Sequence, residues 1–226
     1  MQSRREFLLK TAAGGGLLLG GGFPFDALAG SREPIRLTVL HTNDVHSRLE
    51  PFGADSGKLA GQGGIAARAA IIAQIRSETP NVLLLDAGDI FQGTPYFNLY
   101  KGEPEIKAMT ALGYDAVTMG NHDFDLGVDG FAAQLAHAKF PVLTANYEFG
   151  GTALEGKTLP WTVIHKGGAR IGVFGLGIQL KGLVPDELYG KTIYLEPLRI
   201  AQQTADRLRR REGCDVVICL SHLGYS

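Results

Sequence analysis

The sequence predicts an α/β fold, and three observations predict it. Short runs that are apolar at every position, such as Val82-Leu83-Leu84-Leu85, read as strands buried on both faces. Between such runs lie segments with apolar residues at helical spacing, as in Ile65, Ala69, Ile72 and Ile75. Four apolar runs end in aspartate, histidine or asparagine, and in sheets flanked by helices ligands collect at strand carboxyl ends. The 226 residues are enough for one sizeable domain. An apolar content of 45% with 20% charged residues is ordinary for a soluble protein. The formal net charge of -1 gives no electrostatic case for nucleic acid or an anionic membrane as a partner.

Residues 1–29 read as an export signal, and residues 30–226 as the folded domain. Ser3-Arg4-Arg5-Glu6-Phe7-Leu8-Leu9-Lys10 resembles the twin-arginine motif, with Leu9 where lysine is usual. The apolar stretch that follows, Thr11 to Phe25, is glycine-rich and too short for a stable membrane anchor. Ala27-Leu28-Ala29 is a small-x-small cleavage site, and no cysteine follows it to carry a lipid. The expectation is export through the twin-arginine machinery to a periplasmic or extracellular location.

The elements follow in order. Ile35 to Leu40 is the first strand, and Arg48 to Gly64 a glycine-rich loop. Ile65 to Ile75 is a helix stopped by Pro80 and Asn81, before the strand at Val82 to Leu85. Gln92 to Tyr100 holds aromatics suited to a wall, and Glu103 to Leu112 is a helix ended by Gly113. Ala116 to Met119 is a buried strand, Val128 to Ala138 a helix and Pro141 to Asn146 a short strand. Trp161 to His165 and Arg170 to Phe174 flank Lys166-Gly167-Gly168-Ala169 as a hairpin. Ile200 to Arg211 is a helix whose arginines read as a solvated face, and Val216 to Leu220 is the last strand. The odd offset between Cys214 and Cys219 places them on opposite faces of that strand, so both read as small buried thiols and no disulfide is expected. His137 reads as surface and His165 as a strand residue.

The chemistry sits at the strand ends. Met119-Gly120-Asn121-His122-Asp123-Phe124-Asp125 crowds polar, metal-capable side chains into one turn. Burying them is costly unless something pairs with them, and a divalent cation is the obvious partner. Asp44 and His46 are two apart, so extended backbone would point both to one side. Alone, that pair fits a solvated loop as well as a ligand pair. Asp89 follows Asp86-Ala87-Gly88, and His222 follows the last strand. Aspartate, histidine and asparagine without thiolate favour Zn, Mn, Fe, Co or Ni over iron–sulfur chemistry, and imidazole argues against a pure Mg or Ca site. One carboxylate with ligands on both sides suits two ions about 3.5–4 Å apart.

Asp44-x-His46, Gly88-Asp89, Gly120-Asn121-His122-Asp123 and His222 resemble the successive motifs of the calcineurin-like metallophosphoesterases. The longer runs His41-Thr42-Asn43-Asp44-Val45-His46, Gly120 to Gly127 and Ser221-His222-Leu223-Gly224 resemble its 5'-nucleotidase branch. The resemblance implies a four-layer αββα sandwich of two mixed sheets. It implies Asp44 and His46 on a first metal, Asp89 bridging, and Asn121 and His222 on a second. It also implies a catalytic pair, with His122 stabilising the transferring phosphoryl group and Asp125 orienting it. The implied activity is metal-dependent hydrolysis of a small phosphomonoester, a 5'-nucleotide or related ester, by activated water. Family members draw their last ligands from a later Gly-His-x-His or Gly-His-x-Gln loop. The chain stops at Ser226 before any such loop, so the expected domain is incomplete at its C-terminus. The alternatives are an exported module that binds metal or phosphate without catalysis, and an inactive truncation of the enzyme.

Overall fold

The computed structural model describes residues 34–224; the expected export signal at 1–29 lies outside them. The elements are β1 (Thr38–Thr42), α1 (Gly64–Glu78), β2 (Val82–Asp86), α2 (Pro95–Tyr100), α3 (Glu103–Leu112) and β3 (Ala116–Thr118). A 3-10 turn at His122–Phe124 precedes α4 (Gly127–Gln134). Then come β4 (Val142–Leu143), β5 (Tyr147–Glu148), β6 (Trp161–Lys166), β7 (Ala169–Gly177), α5 (Asp186–Tyr189), β8 (Ile193–Tyr194), α6 (Pro197–Arg210) and β9 (Val216–His222).

Strands β1-β2-β3-β4 form one sheet in sequence order, parallel in every pairing. Parallel neighbours need crossovers, and the crossovers here are helices. Ile72 of α1, Phe97 of α2, Ile106 and Met109 of α3 and Phe131 of α4 share one cluster with Leu84, Val117 and Val142. The opposite face, through Leu83, Leu85, Ala116 and Leu143, meets Ile171, Val173 and Leu220 of the second sheet. That sheet runs β6-β7-β9, with an antiparallel hairpin and a parallel pair. Its far face carries Phe174 and Leu176, covered by Leu208 of α6. The layers are therefore helix, sheet, sheet, helix. The expectation of two mixed sheets is refined: the first is parallel throughout its described strands and the second is mixed. β5 and β8 make a small antiparallel ladder of their own.

Several boundaries moved for identifiable reasons. β1 starts at Thr38 because its partner β2 starts at Val82 and the two pair in register. The strand expected at Pro141 to Asn146 shrinks to two residues. Beyond it the Thr144 N–H turns to the Leu159 carbonyl and the Ala145 N–H to Gly175 of β7. The helix expected to Ala138 tightens into a 3-10 turn at Leu135–His137. The β6–β7 hairpin turns through Gly167 and Gly168, both at positive φ, as a two-residue turn requires. Pro197 opens α6, and the Glu196 carboxylate accepts the N–H groups of Leu198 and Arg199. The arginines of α6 do form an outer face: Arg210 pairs with Asp206, and Arg207 lies over the Trp161 ring. Cys214 is buried, but Cys219 is exposed, which corrects the expectation of two buried thiols. Two positions along β9 from Val217, Cys219 faces the same side of the sheet. Among the described residues no helix is long and apolar enough to cross a membrane.

The two sheets approach closely at Gly175. A Cβ there would overlap the Leu143 carbonyl oxygen and the Thr118 hydroxyl. Overpacking of this kind costs about 1–3 kcal/mol. Gly175→Ala should therefore lower the urea midpoint by that amount of stability. Gly150→Ala, with nothing within 4 Å of its Cβ, should change stability by no more than about 0.5 kcal/mol.

Candidate metal centre

All four segments that carry candidate ligands leave the carboxyl ends of strands. β1 is followed by Asp44 and His46, β2 by Asp89, β3 by Asn121 to Asp125, and β9 ends on His222. The structure brings the side chains of Asp44, His46, Asp89, His122 and His222 together. Asp44, His46 and Asp89 each offer an atom within 4.8 Å of the other two. His46 Nε2 is 3.8 Å from Asp44 Oδ1 and 3.8 Å from Asp89 Oδ2. His222 Nε2 reaches the same Asp89 oxygen at 3.3 Å. Asp89 thus stands between the two imidazoles. Ligand atoms each about 2.0–2.2 Å from one ion lie about 3–4 Å apart, so this spacing fits a divalent cation.

The imidazoles are oriented for that task. His222 Nδ1–H donates to the Ala87 carbonyl at 2.8 Å, and His46 Nδ1–H to the Phe91 carbonyl at 3.3 Å. Each bond leaves Nε2 facing inward, as metal-ligating histidines require. Burial disfavours a charged His222, but the Asp89 carboxylate beside it outweighs burial and lifts the imidazole to about 9. For Asp89, burial works upward, yet the hydrogen bonds from His222 and the His122 N–H hold it below the usual carboxylate range. A cation bound at Nε2 would compete with the proton on His222.

Asp44 and His46 converge by a route different from the expected one. The backbone is not extended: Asp44, His46 and Ser47 all have left-handed φ, at 50°, 45° and 56°. A tight turn, not strand alternation, sets the two ligands side by side. The turn is stitched to the next loop by Asp44 N–H to Gly88 O, His46 N–H to Asp89 O and Ser47 N–H to Ile90 O. His122 and Asp125 are paired, Nδ1 to Oδ2 at 3.0 Å, across the 3-10 turn. The His122 ring packs edge-on to His46 with centroids 5.3 Å apart. Its backbone N–H donates to Asp89 Oδ1 at 2.8 Å. Asn121 enters the same turn between His122 and Gly120, where a Cβ would overlap the Asp89 carboxylate. His137 and His165 stay outside: one sits in a 3-10 turn beyond α4, the other is exposed on β6. An open hollow of about 340 Å³ borders the Asp44 and His222 side of the group, lined also by His41 and Ser221.

Asp123 has a role that sequence reasoning missed. It is fully buried, and its two oxygens accept the backbone N–H groups of Gly120, Asp89, Ile90 and Phe91 at 2.8–3.2 Å. Burial pushes it up to about 6. Nothing in its residue type separates it from Asp125. Asp86, also fully buried and pushed up to about 7 by burial, orients its turn by accepting the Gly88 N–H. Removing the Asp123 acceptor strands several buried donors at about 1–3 kcal/mol each. Asp123→Ala should therefore cost at least about 3 kcal/mol in denaturant titration, and Asp123→Asn, which keeps one oxygen, distinctly less.

Comparison with known proteins gives a consistent result. The calcineurin-like phosphoesterase family matches residues 37–226. A snake venom 5'-nucleotidase of Gloydius brevicauda is 44% identical over 219 residues, which is 92% of this chain and 36% of that protein. The 5'-nucleotidase of Rattus norvegicus is 47% identical over 84% of this chain and 34% of its own length. The crystal structure of a 5'-nucleotidase precursor from Thermus thermophilus superposes with a TM-score of 0.74 at 39% identity, covering 84% of this chain and 37% of that one. The chain spans about a third of the length of these relatives. With candidate ligand residues at four strand ends, an αββα layering and a family match across nearly all described residues, the chain belongs to the calcineurin-like phosphoesterase family.

Proposed function

We propose that the protein is a metal-dependent phosphoesterase that hydrolyses phosphomonoesters, with 5'-nucleotides as the substrate class. The observation that carries this reading is Asp89 Oδ2 held between His46 Nε2 and His222 Nε2, with the His122–Asp125 pair beside it. In this proposal Asp44, His46 and Asp89 hold one divalent ion, and Asp89, Asn121 and His222 a second. Such ions supply Lewis-acid polarisation of phosphoryl oxygens and make water a better nucleophile near neutral pH. His122 stands next to the centre without being consumed as a ligand. Its Nδ1–H donates to Asp125 Oδ2, so Nε2 donates to an oxygen of the transferring phosphoryl group when the ring is the imidazolium, which carries a proton on both nitrogens. Charge builds on those oxygens in the transition state, so a donor fixed in advance acts there and not on the ground state. A module that only binds metal has no use for that pair. The nucleotide class rests on the 5'-nucleotidases among the relatives. Export belongs to the same proposal and rests on the twin-arginine-like segment Ser3 to Lys10.

Two outcomes are expected of the intact protein. Phosphate release from AMP should fall to background after exhaustive chelation and return when Zn, Mn or Co is restored. Release that survives chelation would contradict the metal-dependent reading. His122→Ala should slow turnover by about 10²–10³-fold while metal per chain stays at the wild-type value. A parallel loss of metal and activity would make His122 a ligand instead.

A further inference from the structure

We propose that Glu105 is a positioning residue for the first metal ligands: through Ser47 it fixes the turn that carries His46, and so sets the affinity of that half of the centre. The proposal deepens the reading of Asp44, His46 and Asp89 as a metal site and rests on it.

The turn has an unfavourable backbone. His46 and Ser47 are consecutive non-glycine residues at left-handed φ, a conformation that costs about 1–2 kcal/mol per residue. It persists only where the surroundings over-determine it. The backbone bonds to the Gly88–Ile90 loop hold its N–H groups. They do not hold the far side of Ser47. That side is clamped from α2 and α3. Thr94 Oγ1 donates to the Ser47 carbonyl at 2.9 Å and lies 2.8 Å from the Ser47 hydroxyl. The Ser47 hydroxyl donates to Glu105 Oε1. All three side chains are buried.

The clamp matters because the direct hold on the imidazole is weak. The His46 Nδ1 bond to Phe91 is 3.3 Å long, beyond the ordinary range for such bonds. The ring therefore depends on where the backbone of His46 and Ser47 places it. Glu105 is an odd choice for helix packing alone. It is 2% exposed, and its Oε2 has no hydrogen-bond partner among the described residues. A half-satisfied buried carboxyl destabilises its site relative to an apolar side chain. What it does hold is the residue next to His46.

The test is Co²⁺ titration of the intact protein, read by visible absorption, with thermal melts confirming that each variant is folded at the titration temperature. Glu105→Ala and Ser47→Ala should each weaken Co²⁺ binding by about 10–100-fold, the usual cost of losing a partner behind a ligand. The double variant should be no weaker than the worse single, since both act through one hydrogen bond. Glu105→Gln, which keeps an oxygen for Ser47, should bind near the wild-type value. Ser47→Ala, which removes one atom, carries the test alone if Glu105→Ala does not fold. His46→Ala is the control. Weakened binding in His46→Ala with unchanged binding in the folded Glu105 and Ser47 variants, or additive losses in the double variant, would overturn the role of Glu105. A His46→Ala protein that binds like wild type would overturn the metal reading of this site and the proposal with it.

Discussion

The centre depends on one buried carboxylate that is not itself expected to touch a metal. The loops after β2 and β3 are irregular backbone inside the protein, and buried N–H groups without acceptors are not tolerated. Asp123 accepts four of them, three from the Asp89–Phe91 segment and one from Gly120. It thereby fixes two ligand-bearing loops against each other. Their approach is close enough that Gly88 and Gly120 must lack side chains, since a Cβ on either would overlap the other loop. With the loops locked, the His122 N–H falls on Asp89 Oδ1 and turns the opposite oxygen toward the imidazoles.

The carboxylates divide by environment. Asp86 and Asp123 are sealed from solvent, lifted by burial, and use their oxygens on backbone and hydroxyl donors. Asp89 lies between imidazoles and is held low. Residues of one type within a few positions of one another thus do different work. The αββα layering explains the rest of the geometry. The first sheet supplies three strand ends from neighbouring strands, and the second sheet carries β9 across so that His222 closes the group from the other layer.

Much of this was legible in the sequence because strand ends advertise themselves. Val82 to Leu85 is apolar at every position, and the next polar residues, Asp86 and Asp89, both belong to the site region. Glu103 to Leu112 carried its stop signal in Gly113. What was not legible depends on tertiary contact. The left-handed backbone at Asp44, His46 and Ser47 comes from pairing with a loop that lies far along the chain, so local alternation gave the right neighbours for the wrong reason. The aromatics of Gln92 to Tyr100 show no helical period because α2 is only six residues long, with Phe97 turned into the core and Tyr96 and Tyr100 outside. The β5–β8 ladder is two residues deep, too short for any period to show. Glu105 gave no sign at all, because its partner Ser47 is 58 positions away.

The bond from His222 to Ala87 spans 135 positions. Contacts of that separation form late, since the chain must first pay the entropy of closing a long loop, and parallel pairing such as β7 with β9 is slow for the same reason. A chain without the β7–β9 pairing would hold Asp44, His46 and Asp89 together but would not bring His222 to Asp89. The approach of His222 to Asp89 would thus report that the second sheet has docked on the first. A cation that binds only the complete arrangement would draw the folding equilibrium toward it, as any native-state ligand does.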